Sequence, residues 1–333
     1  MISVGETAET LEDVAEGRSP AGEFSVLAKS TFTDVHTMIG SQLSPGSMRD
    51  EWRFAFRMSS ATADHKMIYL TEEFPGIQYL ALHALRRREK RIIMLIHNVA
   101  SARRRIPLAT LRLCQFLDHV LCLSRASADE LNTRYGIPKS RITVIGSRVD
   151  TDFFAPIPRV ATRPQICSAG AVNRDYKTLV EAVRPLEVTT KIAADTQWGY
   201  SAGVSHVVDL PRFVEMRSWG DYRNLRSLYA ESSAVVVPLE RSMMSGVTVA
   251  LEGMAMGRPV ILTENKYVTD FLRDGETGYL VPAGDPDALR TKIKFVIDHP
   301  DQAEEVGRRA REWVLENFTV KRYVDRILGV LTR

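Results

Sequence analysis

The chain has 333 residues, a length that suggests two domains rather than one. Hydrophobic residues make up 44% and charged residues 26%, which excludes collagen-like, mucin-like and largely disordered chains. The formal net charge of +3 by itself implies no polyanionic partner. In chain order, Met1–Glu23 carries six acids and one arginine without an apolar core, so it reads as an acidic, flexible tail and not as a signal peptide. Strand candidates follow at Phe24–Ala28, Met67–Leu70, Arg91–Ile96, His119–Leu123 and Ile142–Ile145. A second series lies at Gln165–Ser168, Val188–Ala193, Val204–Leu210, Ala234–Pro238, Pro259–Leu262 and Gly278–Val281. Most are continuously apolar and rich in Val and Ile, as parallel strands covered on both faces should be. The stretches between them have room for crossover helices, so the fold class is α/β, doubly wound.

Several boundaries are explicit. Ser124 and Ser127 with Glu130 have capping-box spacing ahead of a helix through Leu131. Asp285 followed by Pro286 supplies an N-cap and a proline at the first helical position. Pro156–Pro164 interrupts two apolar patterns and marks a domain boundary. The expected organisation is a tail over 1–23, a first Rossmann-like domain over 24–158, a second over 159–315 and a closing helix over 316–333. No run of eighteen apolar residues predicts a membrane-spanning helix. Cys114, Cys122 and Cys167 lack CxxC spacing, which fits a reducing, cytoplasmic compartment and neither a disulfide framework nor a zinc site.

The segment richest in chemistry is Met243–Leu289. Ser245-Gly246-Val247-Thr248 is a small, glycine-containing turn opening a helix that ends near Gly257. Such a turn exposes backbone N–H groups, and the helix dipole favours an anion there. Glu252 lies about 7–8 Å further along the axis, a separation that suits a diphosphate at the helix mouth and a sugar hydroxyl on the carboxylate. Read alone, a glutamate in such a helix is more often a solvated surface residue.

The order of residues shifts that balance. Leu251-Glu252-Gly253-Met254-Ala255-Met256-Gly257-Arg258-Pro259-Val260-Ile261 and Asp274-Gly275-Glu276-Thr277-Gly278-Tyr279-Leu280-Val281-Pro282 closely resemble the donor domain of glycosyltransferase family 4. Val144–Phe154 and Leu121–Leu131 are similar to the same family's linker and late N-domain unit, and the resemblance runs from about residue 67 to 331. It implies the glycosyltransferase B-type fold, two Rossmann-like domains facing a cleft, and a retaining nucleotide-sugar transferase. In the family's Glu-x7-Glu signature the second glutamate, which binds the ribose, falls on Glu252; the first falls on Met244. Val247 and its neighbours would supply amides to the diphosphate, and Thr248 a hydroxyl. After the first strand of this half, Ser168–Leu179 contains Gly170, has Ala171 at the family's usual arginine position and resembles its Arg-Asp-Tyr variant, so Arg174 and Lys177 are expected to clamp the leaving diphosphate. His97, ahead of Asn98 at the end of a buried strand, is expected to approach the donor sugar, and Glu72 and Glu73 face the same crevice. The glycine-rich loop expected after the first strand has only the separated Gly40 and Gly46.

Charge is unevenly spread. Phe24–Val160 holds 20 Lys and Arg against 12 Asp and Glu, while the residues from Ala161 on balance. The excess concentrates in Arg86-Arg87-Arg88, Lys90-Arg91, Arg103-Arg104-Arg105 and Arg112, read either as a solvated face or as a platform for an anionic membrane surface or phosphorylated acceptor. No nucleic-acid motif accompanies these residues. The expected partners are a nucleotide sugar and a glycan or lipid-linked acceptor, at the inner face of the cell membrane, with no metal or other cofactor. Alternatives are a nucleotide-sugar epimerase or hydrolase of the same fold, and a non-catalytic partner subunit.

Overall fold

The structure, a computed structural model, describes residues 2–4, 8–27, 36–38, 48–86, 90–97, 113–158, 163–194, 210–240 and 244–333. It divides into two compact units. The first comprises Met1–Asp13, Glu23–Gly146 and Tyr323–Arg333, and the second Val14–Gly22 and Ser147–Arg322.

The sheet of the first unit contains β1 (Ile2–Val4), β2 (His36–Met38), β3 (Met67–Leu70), β4 (Arg91–Ile96), β5 (His119–Cys122) and β6 (Ile142–Val144). Their order is β2-β1-β3-β4-β5-β6 and every pairing is parallel. Ile92 through Ile96 are all buried, because a parallel sheet is covered on both faces by its own crossovers. Among the described residues, the helices that precede the second unit's sheet are α1 (Ala8–Ala15), α2 (Glu23–Leu27), α3 (Met48–Ala61), α4 (Glu73–Arg86) and α5 (Arg125–Tyr135). Ser124 caps α5, its Oγ accepting from the Ser127 amide at 3.1 Å. Gly136 ends the helix with a left-handed φ of 67° and donates to the Asn132 carbonyl.

In the second unit, β7 (Gln165–Ala169), β8 (Thr189–Ala193), β9 (Val214–Arg217), β10 (Ala234–Val237), β11 (Val260–Thr263) and β12 (Tyr279–Val281) take the order β12-β11-β10-β7-β8-β9, again all parallel. The chain moves outward from β7 to β9, returns to β10 and moves outward the other way. That is the Rossmann strand order, and its reversal between β7 and β10 opens a crevice at the carboxyl ends of those strands. From β7 onward the helices among the described residues are α6 (Tyr176–Val183), α7 (Tyr222–Glu231), α8 (Val247–Ala255), α9 (Pro286–Asp298), α10 (Pro300–Asn317) and α11 (Val320–Leu331). Leu251 and Met254 of α8 share one core with Val235, Ala310 and Val314, while Tyr176 of α6 and Ile293 of α9 share a second with Ile166 and Ile261. The sheet is thus the middle of three layers. Asp285 caps α9 by accepting from the Asp287 and Ala288 amides, with Pro286 in the first turn. The last eleven residues belong to the first unit, where Arg326 donates to the Ile145 carbonyl at 2.9 Å and Arg91 to that of Val330 at 3.1 Å.

The structure corrects the reading of the first residues. Phe24–Ala28 is no strand: Glu23–Leu27 forms α2, since a short apolar run suits a buried helical turn as well as a strand. The strand that flanks β3 on the side away from β4 is β1, inside the expected tail. Val14–Gly22 packs with the second unit, where Asp150 accepts from the Ala21 amide at 2.6 Å and Arg223 donates to the carbonyls of Glu16 and Gly17. The division between units falls at Gly146/Ser147, ahead of the prolines, because Val149, Phe153 and Phe154 are buried in the second unit's core. Strands β2 and β9 were not expected either, and of the strand expected over Val204–Leu210 all but Leu210 lies outside the described residues.

Candidate functional site

The site grows from two loops at the reversal point of the second sheet. The first follows β7. Gly170 has a φ of +93°, and a Cβ there would stand 2.7 Å from Arg174 Nη2, so only glycine lets the guanidinium lie against the loop. Arg174 is 5% exposed and donates from Nε to the Ala169 carbonyl at 2.8 Å and from Nη1 to the Val172 carbonyl at 2.9 Å. Nη1 also reaches Ser245 Oγ at 3.3 Å, tying the first loop to the second. Burial lowers the Arg174 pKa, while Tyr176, Tyr229 and Glu252 oppose that shift. Asp175 then caps α6 through the Thr178 amide and hydroxyl.

The second loop leads into α8. Gly246 is its N-cap with a left-handed φ of 78°, and no side chain caps the helix. The first-turn amides therefore have no intrahelical acceptor and the positive end of the dipole is open. Inside α8, Glu252 is 5% exposed and accepts a hydrogen bond from the Tyr229 hydroxyl at 2.8 Å. Burial pushes its carboxyl up to about 7, against the opposing pull of the Tyr229 hydrogen bond and the Arg174 charge.

These groups border one cavity of about 270 Å³. Of the expected residues, Gly170, Arg174, Ser245, Gly246, Thr248 and Glu252 line it. Val247 is buried beneath the helix mouth, and Lys177 is exposed on α6 and is not among the lining residues, so the expected Lys177 clamp is not part of this cavity. Met244, at the position of the signature's first glutamate, packs against the hydrophobic core. Trp219, Asp221 and Tyr222 also line the cavity, with the Arg217 guanidinium 3.9 Å over the Trp219 ring. Sequence reasoning missed these three and Tyr229, since each is placed by folding and no local spacing links them to Glu252. Among the described residues, no cluster of three or more His, Cys, Asp or Glu side chains could hold a metal.

In the first unit His97 ends β4. Its amide donates to Glu73 Oε1 at 2.8 Å and its ring Nε2 to the Thr71 carbonyl at 3.0 Å, with Glu72 Oε1 at 3.7 Å. Burial alone would lower the imidazole pKa; Glu72, Glu73, the Thr71 carbonyl and Glu23 outweigh it and raise the pKa. Glu73 is buried, and its carboxylate holds the turn after β4 by accepting from the His97 amide. Asn98, Gly40 and Gly46 lie outside the described residues, as do Arg87, Arg88, Arg103, Arg104, Arg105 and Arg112. Of the expected basic platform, Lys90 donates instead to the carbonyls of Thr62, Ala63 and His65 at the C-terminal end of α3, and Arg91 to the last turn of α11. Both cations serve helix ends, where the carbonyls lack other donors.

Two family models match the chain: "Glycosyltransferase Family 4" over residues 31–153 and "Glycosyl transferases group 1" over residues 163–299. The D-rhamnosyltransferase WbpZ of Pseudomonas aeruginosa is 39% identical over 90 residues, 26% of this chain and 23% of that protein. A GDP-mannose-dependent alpha-(1-6)-phosphatidylinositol monomannoside mannosyltransferase of Mycolicibacterium smegmatis is 23% identical over 227 residues, 60% of this chain and 58% of its own. The chain thus matches less than two thirds of the length of either relative. Among solved structures, HepE of Anabaena, in complex with UDP-glucose, superposes with a TM-score of 0.77 at 15% identity, over 99% of this chain and 98% of that one. Sucrose-phosphate synthase of Thermosynechococcus elongatus superposes with a TM-score of 0.76 at 17% identity, over 99% and 98%. At these identities the superpositions speak for the fold.

Proposed function

Because the chain belongs to the group 1, family 4-like glycosyltransferases with two Rossmann-like domains, we propose that it transfers a sugar from a nucleotide-diphosphate donor to an acceptor hydroxyl, with retention at the anomeric carbon. One observation carries this reading: an open helix N-terminus, a buried arginine and a buried carboxylate converge on one cavity at the sheet's reversal point. The diphosphate sits on the amides at Gly246–Thr248, and the ribose hydroxyls bind Glu252, which Tyr229 holds in place. Arg174 lies across the phosphates and stabilises the negative charge that grows on the leaving nucleoside diphosphate as the glycosidic bond breaks. This charge balance needs no metal. His97, with its raised pKa, is assigned to the sugar, and Lys177 to no contact in this reading. The acceptor is a glycan or lipid-linked hydroxyl at the inner membrane face, a reading supported by the phosphatidylinositol monomannoside in the mycobacterial relative's name.

Calorimetry with UDP, GDP and ADP tests the site. At least one is expected to bind, and Glu252→Ala and Arg174→Ala are each expected to weaken it roughly tenfold or more, the loss of a charged or buried hydrogen-bond partner. Unchanged affinity in both variants would remove the site. Met244 packed against the core and Lys177 outside the cavity favour a second reading, a non-catalytic subunit that keeps the nucleotide fold. Absence of nucleotide binding at millimolar levels would favour that subunit. Rapid epimerisation or hydrolysis of a labelled nucleotide sugar without acceptor would replace the transferase by an epimerase or hydrolase.

A further inference from the structure

The outer face of α3 is neither core nor an ordinary polar surface. Met48, Trp52 and Phe56 recur at four-residue spacing, and Arg49, Arg53 and Arg57 recur at the same spacing one position on. Residues four apart stack along one side of a helix, so the two triplets form adjacent stripes, one apolar and one cationic. Met48 is 62% and Phe56 50% exposed, and the Arg53 side chain is 61% exposed. Arg49 and Arg57 are exposed too, while Trp52 is half-buried with its ring 6.2 Å from that of Phe56. The helix already has a buried face, made by Glu51, Phe54, Ala55 and Ser59, so the apolar stripe is not what seats α3 on the protein. Arg53 pairs with Asp50 at 3.7 Å, and among the described residues no ion pair is formed by Arg49 or Arg57.

We propose that this face of α3 docks the chain on an anionic phospholipid surface. Charge complementarity selects the occupant. Three exposed guanidinium groups, one of them paired with Asp50, call for a partner dense in negative charge, and exposed Met48 and Phe56 with half-buried Trp52 beside them call for an apolar layer just below that charge. An anionic bilayer supplies both, with arginine at the phosphates and aromatic rings at the headgroup–acyl boundary, whereas a nucleic acid supplies only the first. Lys90 fixes the C-terminal end of α3 through three carbonyls, which holds the stripe to the body of the first unit. The inference deepens the reading of a membrane-linked acceptor, but its readout is independent of nucleotide binding.

The experiment is co-sedimentation of the full chain with vesicles of phosphatidylglycerol and phosphatidylcholine, compared with pure phosphatidylcholine. Binding to the anionic vesicles is expected, weakening as salt rises. Arg49→Glu, Arg53→Glu and Arg57→Glu together should lower partition by roughly a hundredfold, since each cation near such a surface contributes on the order of a fivefold factor. Phe56→Ser alone should lower it severalfold, and this milder variant decides the matter if the triple reversal lowers the melting temperature. Arg103→Glu, Arg104→Glu and Arg105→Glu should cost less than the α3 reversal. Equal partition to both vesicle types, α3 variants that bind as the parent does, or a solution dimer that the same α3 substitutions dissociate would each overturn the proposal.

Discussion

Glu252 is a buried carboxylate, and the consequence of that burial is a cost to the fold. Its folded pKa of about 7 stands above the ordinary 4.5, so between those values the native state holds a proton that the unfolded chain releases. Stability is therefore highest below pH 4.5 as far as this group is concerned, and falls as pH rises through 7, by about 3 kcal/mol at most. Glu252→Gln should make the protein more stable than its parent at pH 8, hardly so at pH 5, and should weaken nucleotide binding at both. Denaturant titrations at the two pH values check the sign; a variant less stable at pH 8 would show that Glu252 is not destabilised by burial. Gly170→Ala is expected to lose about 1–3 kcal/mol and to weaken nucleotide binding, because the new methyl displaces Arg174 from a left-handed turn. A variant with parental stability and affinity would show that the loop accommodates it. Glu252 and Arg174 were legible through the resemblance of the motifs around them, since read alone each is more often a solvated helix residue. Tyr229 was not, since its hydroxyl meets Glu252 only after α7 and α8 pack on the same face of the sheet.

At the scale of elements, legibility followed burial. Strands β4, β7 and β10 are buried along nearly their whole length because both of their faces are covered, and their largely apolar runs show them in the sequence directly. Strand β9 is the edge of its sheet with only Val214 buried, and its Val-Glu-Met-Arg offers no apolar run. Strands β1 and β2 are three residues each, and Ile-Ser-Val and His-Thr-Met form no continuous apolar run. Caps were the reverse case: Ser124 and Asp285 announce α5 and α9 through side-chain chemistry that is local by nature. Asp285→Ala, which removes the acceptor of two amides, should cost about 1 kcal/mol. Thermal melting checks it, and the nucleotide affinity should not change, because α9 contributes nothing to the cavity wall.

For the whole molecule, the basic excess of Phe24–Val160 and the balanced remainder correspond to a difference in surface chemistry: exposed arginines on α3 in the first unit, and a site with one buried arginine in the second. Deleting Met1–Gly22 removes β1 from between β2 and β3 together with the segment bound by Asp150 and Arg223. The shortened chain is expected to lose cooperative melting and to aggregate through its uncovered strand edges. Scattering and melting indistinguishable from the full chain would contradict this. The same assignment of residues bears on modular inheritance. Neither unit is one stretch of sequence: the first is assembled from three and the second from two. A single recombination event at the proline-rich segment would pass on neither unit whole. A chimaera exchanging the nucleotide-binding half must carry Val14–Gly22 with it and return the chain at Tyr323, so each half can change partners only by joint exchange of segments remote in sequence.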